Sequence, residues 1–468
     1  MEQRIRRDSA LISLVSEFEA NFENGNIEYL SDKVFFKIIG YYEGEGEFDK
    51  ALDVAKLALE QFKYRSDFYI IKARVLLKMN AIEACLEHLE KAQTIAPYEN
   101  EIIILKVKAL ALSGEYDAAF HHLESLKESA LEGDLVEIYL CEAHINSEMN
   151  NHAENFDALK QAILLDNVNK EALKKFWSAT ELSKKYIECA DFMSNIIDKN
   201  PYNSLAWYNM GQSLSFSGEY EKAIDAIEYS YIIDPDFEDG YIDCADICCQ
   251  IKDFDRALGI YEEAIAMFGE DNELLINIAE CQMYLNKTKA CKSNLYKAIK
   301  QDPYNDEVYF FLGECFSKEE KWYSAINAYH KAIEIEDGVG EYYLGVARSY
   351  VAVEDYNKAT INFHLAVSDG PEQTHFWMEF ASFLMKLGLH EEALQILDEA
   401  EEYTFGADLL YCRAMANFFL HNKVDGLEYL KEALLEDYSL HTLIYVLAPE
   451  LEVDKEIRSM ILYYAGEY

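Results

Sequence analysis

The sequence predicts an all-α solenoid of about twelve helical hairpins, with capping helices at both ends. Only 20 glycines and 6 prolines interrupt 468 residues, half of which are hydrophobic. This composition favours helices joined by short loops over a sandwich or barrel with many tight turns. Small residues recur every 34 positions, and five of the six prolines share one position of that period. The chain is therefore predicted to repeat one structural element many times.

The period of 34 residues is clearest when the chain is aligned on Ala223. Twelve repeats then begin near residues 32, 66, 100, 136, 170, 204, 238, 272, 306, 340, 374 and 407, and nine of the eleven spacings are 34. A small side chain at the aligned position lets two helices approach closely. The aligned residues are Ala51, Cys85, Ala119, Asn155, Cys189, Ala223, Ala257, Cys291, Ala325, Ala359, Ala393 and Gly426.

The prolines test this alignment independently, because they were not used to build it. Five of them occupy the thirty-second position of their repeats, and only Pro449 lies outside the scheme. A proline there ends the second helix of one repeat and keeps the preceding residue extended, so the chain can turn into the next repeat. The five are Pro97, Pro201, Pro235, Pro303 and Pro371.

Each repeat contains two helical patterns separated by a short turn. The turn carries glycine or asparagine, which tolerate a left-handed backbone, at Gly46, Asn80, Gly114, Asn150, Gly218, Asn286 and Gly388. Large side chains share one position of the first helix and are predicted to fill the space that the small residues leave. They are Tyr69, Trp207, Tyr241, Tyr309, Tyr343 and Trp377.

This pattern resembles the tetratricopeptide repeat, whose signature is a tryptophan, a leucine–glycine pair, an aromatic, an alanine, another aromatic and a closing proline. The resemblance covers residues 32 to about 438 and is weakest in the repeat at 136, where Asn155 replaces the alanine. It implies a right-handed α-solenoid that binds a protein or peptide along its concave groove. In residues 203–235 the matching residues are Trp207, Met210 with Gly211, Leu214, Ala223, Ile227 and Pro235.

The two ends are predicted to cap the array. Residues 1–31 form an N-terminal capping helix, twelve repeats fill 32–438, and residues 439–468 form C-terminal capping helices that bury Ile457, Met460, Ile461 and Tyr464. Extra residues at 127–135 predict an irregularity that could divide the array. No apolar run is long enough to span a membrane, and the N-terminus lacks a signal-peptide cleavage site, so we expect a cytoplasmic protein. The apolar face of the N-terminal helix comprises Leu11, Ile12, Leu14, Val15, Phe18 and Phe22.

The chain is strongly acidic, with 86 acidic and 42 basic residues and a formal net charge of -44. A phosphate backbone would be repelled, which argues against nucleic acid as a partner. Basic proteins or peptides remain candidates. The alternative is that the charge only keeps a long surface in solution.

No residue pattern predicts catalysis, a cofactor or a metal site. Cys244, Cys248 and Cys249 do not have the spacing of a zinc site, while Cys85, Cys189 and Cys291 replace the small alanine of the repeat, so cysteine serves as a compact apolar residue. The histidines are scattered, and neither HExxH nor a glycine-rich phosphate loop occurs. We therefore expect a protein that is not an enzyme.

The first helices are expected to supply the binding residues. An acid stands at the second position of nine of the twelve repeats, including Asp239, Glu273 and Glu307, but the helix dipole favours an acid there without any ligand. The ninth position lies in the middle of the helix, where the helix dipole does not favour an acid. It holds Arg74, Lys108 and His144 early, then three consecutive acids, then Arg348. The predicted peptide-binding residues are Tyr208, Gln212, Asp239, Asp246, Glu273, Glu280, Glu307 and Glu314.

Two other functions remain open at this level. One is a structural role, by self-association or as a subunit of a larger complex, for which the apolar residues of the caps would be the interface. The other is an α/α hydrolase, which would need a closed ring and two carboxylates at a fixed separation. Some members of the family bind a chaperone's C-terminal carboxylate with lysines and asparagines. That clamp is not recognisable here, because the ninth position never holds asparagine.

Overall fold

The computed structural model describes residues 2–23, 29–129 and 132–466. This described part of the chain contains α-helices and two short 3-10 segments but no strand, so the predicted all-α class is confirmed. A single helix, α1 (Glu2–Glu23), precedes twelve helical hairpins. Two further short helices, α26 (Leu443–Leu447) and α27 (Lys455–Tyr464), follow them, and the 3-10 segments are Tyr438–Thr442 and Pro449–Val453.

The first helices of the hairpins have even numbers and the second helices have odd numbers. The first helices are α2 (Asp32–Gly44), α4 (Ser66–Lys78), α6 (Asn100–Leu112), α8 (Glu132–Glu148), α10 (Lys170–Ser183), α12 (Ser204–Phe216), α14 (Glu238–Gln250), α16 (Asn272–Tyr284), α18 (Asp306–Lys318), α20 (Gly340–Ala352), α22 (Thr374–Lys386) and α24 (Ala407–Phe419). The second helices are α3 (Phe48–Gln61), α5 (Ile82–Ile95), α7 (Tyr116–Ser129), α9 (His152–Leu165), α11 (Tyr186–Lys199), α13 (Tyr220–Ile233), α15 (Phe254–Phe268), α17 (Thr288–Gln301), α19 (Trp322–Ile335), α21 (Tyr356–Asp369), α23 (His390–Ala400) and α25 (Lys423–Glu436).

A left-handed residue separates the two helices of every hairpin, always at the fifteenth position of the repeat. The predicted glycines and asparagines adopt this conformation, with φ of 81° at Gly218 and 57° at Asn286. The residue at this position also has a left-handed backbone where it is neither glycine nor asparagine. For such a residue this conformation costs roughly 1–2 kcal/mol. The repeat therefore imposes the turn on residues that do not favour it. These are Lys184, Lys252, Glu320, Glu354 and His421.

The small and large residues of the repeat pack as expected. A Cβ atom added to Gly211 would overlap the side chain of Ile227 and lie 3.0 Å from the carbonyl oxygen of Ala223, so the two helices leave no room for a larger residue. The large side chain of the first helix also forms a hydrogen bond to the preceding repeat. The indole Nε1 of Trp207 donates to the carbonyl oxygen of Pro201 at 2.8 Å, and that of Trp377 donates to Pro371 in the same way.

The hairpins form two compact units, a first unit, Met1–Gly240, and a second unit, Tyr241–Tyr468. The predicted irregularity at 127–135 falls inside the first unit. Helix α7 ends at Ser129 and α8 begins at Glu132, four residues before the predicted start, while residues 130 and 131 lie outside the described part of the chain. The extra sequence lengthens α8 to 17 residues. A hinge there stays a prediction.

Both ends of the array pack on the neighbouring hairpin. Val15 of α1 is buried in the core around Phe35, but Ile12 and Phe22, which were predicted on the same face, are 53% and 42% exposed. That prediction was too broad, because among its described side chains α1 buries a narrower stripe against the first hairpin. At the other end, the 3-10 segments and short helices bury Ile444, Ala448, Ile457, Ile461 and Tyr464 with Met460 partly buried beside them. In the described residues no helix is both long and apolar enough to cross a membrane.

Candidate binding surface

Five carboxylates of the second unit, carried by three neighbouring first helices, form the surface that we call the acidic face. Helix α14 provides one of them, at position nine of its repeat. Helices α16 and α18 provide two each, at positions two and nine. Among the described residues, none of the five forms an ion pair. The acidic face consists of Asp246, Glu273, Glu280, Glu307 and Glu314.

Three of these carboxylates are held in an environment that disfavours their charge. Partial burial raises the pKa of Glu280, and the negative charges of Glu307 and Asp246 raise it further. Burial followed by repulsion from Asp306 and Glu273 raises the pKa of Glu307. Partial desolvation also raises the pKa of Asp246, an exposed residue, and the hydrogen bond from Tyr261 opposes this shift. The acidic face thus concentrates negative charge that nearby cations do not neutralise.

Two tyrosines from second helices position the ninth-position acids. The hydroxyl of Tyr261 donates a hydrogen bond to Asp246, and the hydroxyl of Tyr329 donates to Glu314 at 2.6 Å. Both tyrosines occupy the twenty-fourth position of their repeats, fifteen residues after the acid. Glu280 lacks such a donor, because Leu295 stands at the corresponding position. These tyrosines were not predicted from the sequence, although their constant separation from the acids was visible.

A paired arginine borders the acidic face on one side. The guanidinium of Arg348 on α20 binds Glu379 through two hydrogen bonds of 2.8 and 2.5 Å. The Nε2 atom of His375 lies 2.8 Å from a carboxylate oxygen of Glu341. The change from acid to arginine at the ninth position therefore marks the end of the unneutralised surface.

The other three predicted binding residues belong to the first unit. The Tyr208 ring contacts Phe237 edge-to-face with centroids 4.9 Å apart, and its side chain is half-buried. Gln212 is only 7% exposed and offers little surface to a partner as it stands. Asp239 is exposed. Each of the three lies on a first helix or its first turn, as the repeat requires.

The first helices of the first unit carry a different charge arrangement. A cleft of about 610 Å³ lies among α4, α6, α8 and α10, and Lys108 and His144 line it. The ammonium of Lys108 is 2.8 Å from a carboxylate oxygen of Glu137, the second-position acid of the next repeat. Arg74 forms the same pair with Glu101. Arg74 and Lys108 are therefore neutralised by the hairpin that follows each of them.

The cysteines behave mainly as core residues. All ten lie in the described part of the chain and none forms a disulfide, and every one except Cys249 is buried. Burial raises the pKa of the Cys85 thiol to about 11 and that of Cys412 to about 12. In the described residues, no three histidine, cysteine, aspartate or glutamate side chains are grouped so that they could hold a metal ion.

Comparison with known proteins agrees with the repeat. A family model described as tetratricopeptide repeat matches residues 192–225, from α11 to α13. The chain is 22% identical to the TPR repeat-containing protein YpiA of Bacillus subtilis over 375 residues, which cover 77% of this chain and 85% of YpiA. It is 23% identical to the Hsp70-Hsp90 organizing protein 1 of Glycine max over 314 residues, which cover 61% of this chain and 50% of that protein.

Solved structures match the chain at low sequence identity. A tetratricopeptide repeat protein from Parabacteroides merdae is 14% identical with a TM-score of 0.42, and the match covers 56% of this chain and 98% of that one. The APC/C hetero-tetramer Cut9-Hcn1 is 12% identical with a TM-score of 0.40, and the match covers 92% of this chain and 95% of that one.

The twelve hairpins, each closed by a left-handed residue at one fixed position, define an all-α solenoid protein. The matching family model and the relatives named for the same repeat then specify the class further. Residues 192–225 thus match the tetratricopeptide repeat family, and the relatives named for that repeat support the same class for the chain.

Proposed function

We propose that this protein is a non-enzymatic scaffold that binds a basic, extended segment of another protein. Two observations support a scaffold. The chain is built of tetratricopeptide repeats, and one relative is named as an organizing protein for Hsp70 and Hsp90. The sign of the acidic face argues against an acidic tail as the ligand and for a segment that carries lysine or arginine.

The observation that carries this proposal concerns three carboxylates, those of Asp246, Glu280 and Glu307. Each has a raised pKa and forms no ion pair among the described residues. Bringing an ammonium or guanidinium group to them would relieve the mutual repulsion and form charge-assisted hydrogen bonds. The folded protein already holds these charges close together. A cationic ligand is therefore stabilised both by the relief of their repulsion and by the new hydrogen bonds.

The spacing of the acids suits an extended segment. Asp246, Glu280 and Glu314 occupy the same position of three consecutive repeats, so each faces a different part of a chain that runs across the helices. Tyr261 and Tyr329 fix the first and third of these carboxylates and reduce the side-chain entropy lost on binding. We also propose peptide contacts for three residues at binding positions of their own repeats, which are Tyr208, Gln212 and Asp239.

Binding of a fluorescent oligo-lysine peptide to the full chain tests the proposal. In the triple variant Asp246→Asn, Glu280→Gln, Glu314→Gln, we expect the affinity to fall about tenfold or more and its salt dependence to flatten. The helical circular dichroism should not change, because these side chains lie outside the core.

A matched control has the same change in net charge on exposed positions of second helices. In Glu262→Gln, Glu263→Gln, Glu432→Gln we expect the affinity to remain within about twofold of the wild type, because exposed charges are screened by salt. An equal loss of affinity in both triple variants would show that the peptide responds only to net charge, and the proposed surface would then be wrong.

A structural role is the second candidate, and the C-terminal tail supports it. Four apolar side chains of the tail are strongly exposed: Val446, Val453, Leu462 and Tyr463, at 69%, 85%, 63% and 66%. Such a group is suited to contact with another copy or another subunit. Light scattering of the wild type and of Leu462→Glu distinguishes the two, because self-association through the tail predicts a larger mass that the substitution lowers. The proposed scaffold would act in the cytoplasm.

A further inference from the structure

Two thiols face each other between neighbouring hairpins at the acidic face. Cys249 lies near the end of α14 and Cys281 lies in the second half of α16, and their Sγ atoms are 3.4 Å apart. Sulfur atoms this close need to move by only a little over 1 Å to reach the length of a disulfide, about 2.05 Å. The two helices come from consecutive repeats, so a bond would join one hairpin to the next.

The two thiols differ in access to solvent. Cys249 is partly exposed, whereas Cys281 is buried. The hydrogen bond with Cys281 lowers the pKa of the Cys249 thiol, while the same contact and burial raise the pKa of Cys281. Cys249 is therefore the thiol that a dissolved oxidant reaches first.

A second close pair in the same unit provides an internal comparison. The Sγ atoms of Cys291 and Cys315 are only 3.1 Å apart, but both residues are fully buried. An oxidant has no direct route to either sulfur atom. The distance between the sulfur atoms would allow a disulfide in either pair. Only the Cys249–Cys281 pair has a thiol that is exposed to an oxidant.

We propose that Cys249 and Cys281 form a redox-sensitive modification site, which hydrogen peroxide converts to a disulfide. The Cys249 thiolate attacks one peroxide oxygen, the O–O bond breaks, and a sulfenic acid forms while the other oxygen leaves as water after taking up a proton. The Cys281 sulfur then attacks the Cys249 sulfur, the S–S bond forms, and the S–OH bond breaks to release a second water. Two thiols thus lose two electrons and two protons, and hydrogen peroxide becomes two waters.

The site is reversible by the same exchange chemistry. A dithiol reductant attacks one sulfur of the disulfide through a mixed disulfide and restores both thiols as it is itself oxidised. This suits a protein whose remaining cysteines are buried core residues, because oxidation would be confined to one place.

The experiment uses the full chain treated with hydrogen peroxide, followed by alkylation and mass spectrometry of the intact protein and its peptides. We expect the loss of two hydrogen atoms, one linked peptide pair that contains Cys249 and Cys281, and recovery of both thiols with dithiothreitol. The variant Cys249→Ser should not form the link. The matched control Cys291→Ser removes one member of the buried pair and should form it as the wild type does.

The variant Cys281→Ala keeps a small apolar residue in the core and removes the resolving thiol. Cys249 should then remain as a sulfenic acid that dimedone traps. Linkage of Cys291 to Cys315 in place of this pair, or dimedone-labelled Cys249 in the wild type without any disulfide, would overturn the proposal. So would full alkylation of both thiols after a peroxide exposure that oxidises free glutathione. Because no peptide ligand is involved, these outcomes are independent of the proposed function.

Discussion

The first helices of the two units use the same position of the repeat in opposite ways. In the first unit, Arg74 and Lys108 at the ninth position each form an ion pair with the second-position acid of the next repeat. In the second unit, Asp246 and Glu280 stand at the ninth position, where the charge of Glu307, a second-position acid, adds to that of Glu280. One arrangement cancels charge between hairpins, and the other accumulates it. The stacking of the hairpins is therefore compatible with either.

The energies involved explain this freedom. An exposed ion pair contributes about 0–1 kcal/mol, whereas burying one large apolar side chain contributes about 1.5–3 kcal/mol. Each hairpin is held by several buried residues, such as Phe363, Phe380 and Leu397 in the core of the second unit. The charges on the first helices can therefore vary with little cost to the fold and can be used for binding.

Giving the second unit the charge pattern of the first should have the largest effect. In Glu280→Lys, the new ammonium would lie near Glu307 and pair with it as Lys108 pairs with Glu137. We expect oligo-lysine binding to weaken by about tenfold or more, because one attractive charge is replaced by a repulsive one. Fluorescence anisotropy measures this, with Glu262→Lys as the control of equal charge. If only the control loses affinity, the acidic face is not the binding surface.

Removing a tyrosine that positions an acid should have an intermediate effect. Tyr261→Phe deletes the hydroxyl that donates to Asp246 and leaves the ring in the core. We expect the peptide affinity to fall about threefold to tenfold, because one intramolecular hydrogen bond contributes about 0.5–1.5 kcal/mol to the placement of this carboxylate. Isothermal titration calorimetry compares this variant with Tyr296→Phe, which alters an exposed tyrosine of α17. Equal affinities for all three proteins would contradict a positioning role.

The fold could be predicted almost completely because the repeat constrains it at several points. The 34-residue alignment of small residues, which the prolines at position thirty-two supported independently, gives the starts of eleven first helices as the structure has them. Only α8 begins earlier, at Glu132, because its extra sequence continues the helix instead of forming a loop. The turn at Glu320 and Glu354 could be expected from the period but not from residue type, since neither residue favours a left-handed backbone.

The candidate site could be predicted only in part. The sequence placed Asp246, Glu280 and Glu314 at one position of three repeats, because that position depends only on the period. It did not indicate that Gln212, at the same position, is buried, since exposure there depends on the side chains of the adjacent hairpins. It also did not pair Cys249 with Cys281, because this contact joins different positions of two repeats.

The pH dependence of stability should distinguish the two charge arrangements more finely. A carboxyl whose folded pKa is raised destabilises the folded state when ionised, and this cost disappears as the pH falls through the folded pKa towards the unfolded value. For Glu280, whose ordinary pKa is 4.5, we expect Glu280→Gln to increase the free energy of unfolding at about pH 8 by about 0.5 kcal/mol, a figure reduced for solvent screening. The gain should shrink as the pH is lowered towards about 5.

Urea unfolding at several pH values measures this difference. Glu171→Gln in the first unit is the control, because a hydrogen bond from Lys175 lowers the pKa of Glu171. A lowered folded pKa stabilises the protein above the unfolded pKa, and this contribution is lost only as the pH falls through the folded pKa. The control should therefore be slightly less stable than the wild type, with a constant difference between about pH 8 and about pH 5. A gain for Glu280→Gln that does not change with pH would show that its carboxyl is not repelled in the folded protein.

Removing a paired cation from the first unit should have the smallest effect. The side chains of Lys108 and Glu137 are 39% and 53% exposed, so their ion pair is partly solvated. We expect Lys108→Met to change the free energy of unfolding by less than about 0.5 kcal/mol and to leave oligo-lysine binding unchanged. Urea unfolding and the same anisotropy assay measure both. A loss of about 2 kcal/mol or more would mean that the pairs are needed to stack the hairpins, and the second unit would then have to replace them by other contacts. A small loss would show that the stacking of the hairpins does not require these charges, so that the unpaired acids of the second unit can serve binding with little cost to the fold.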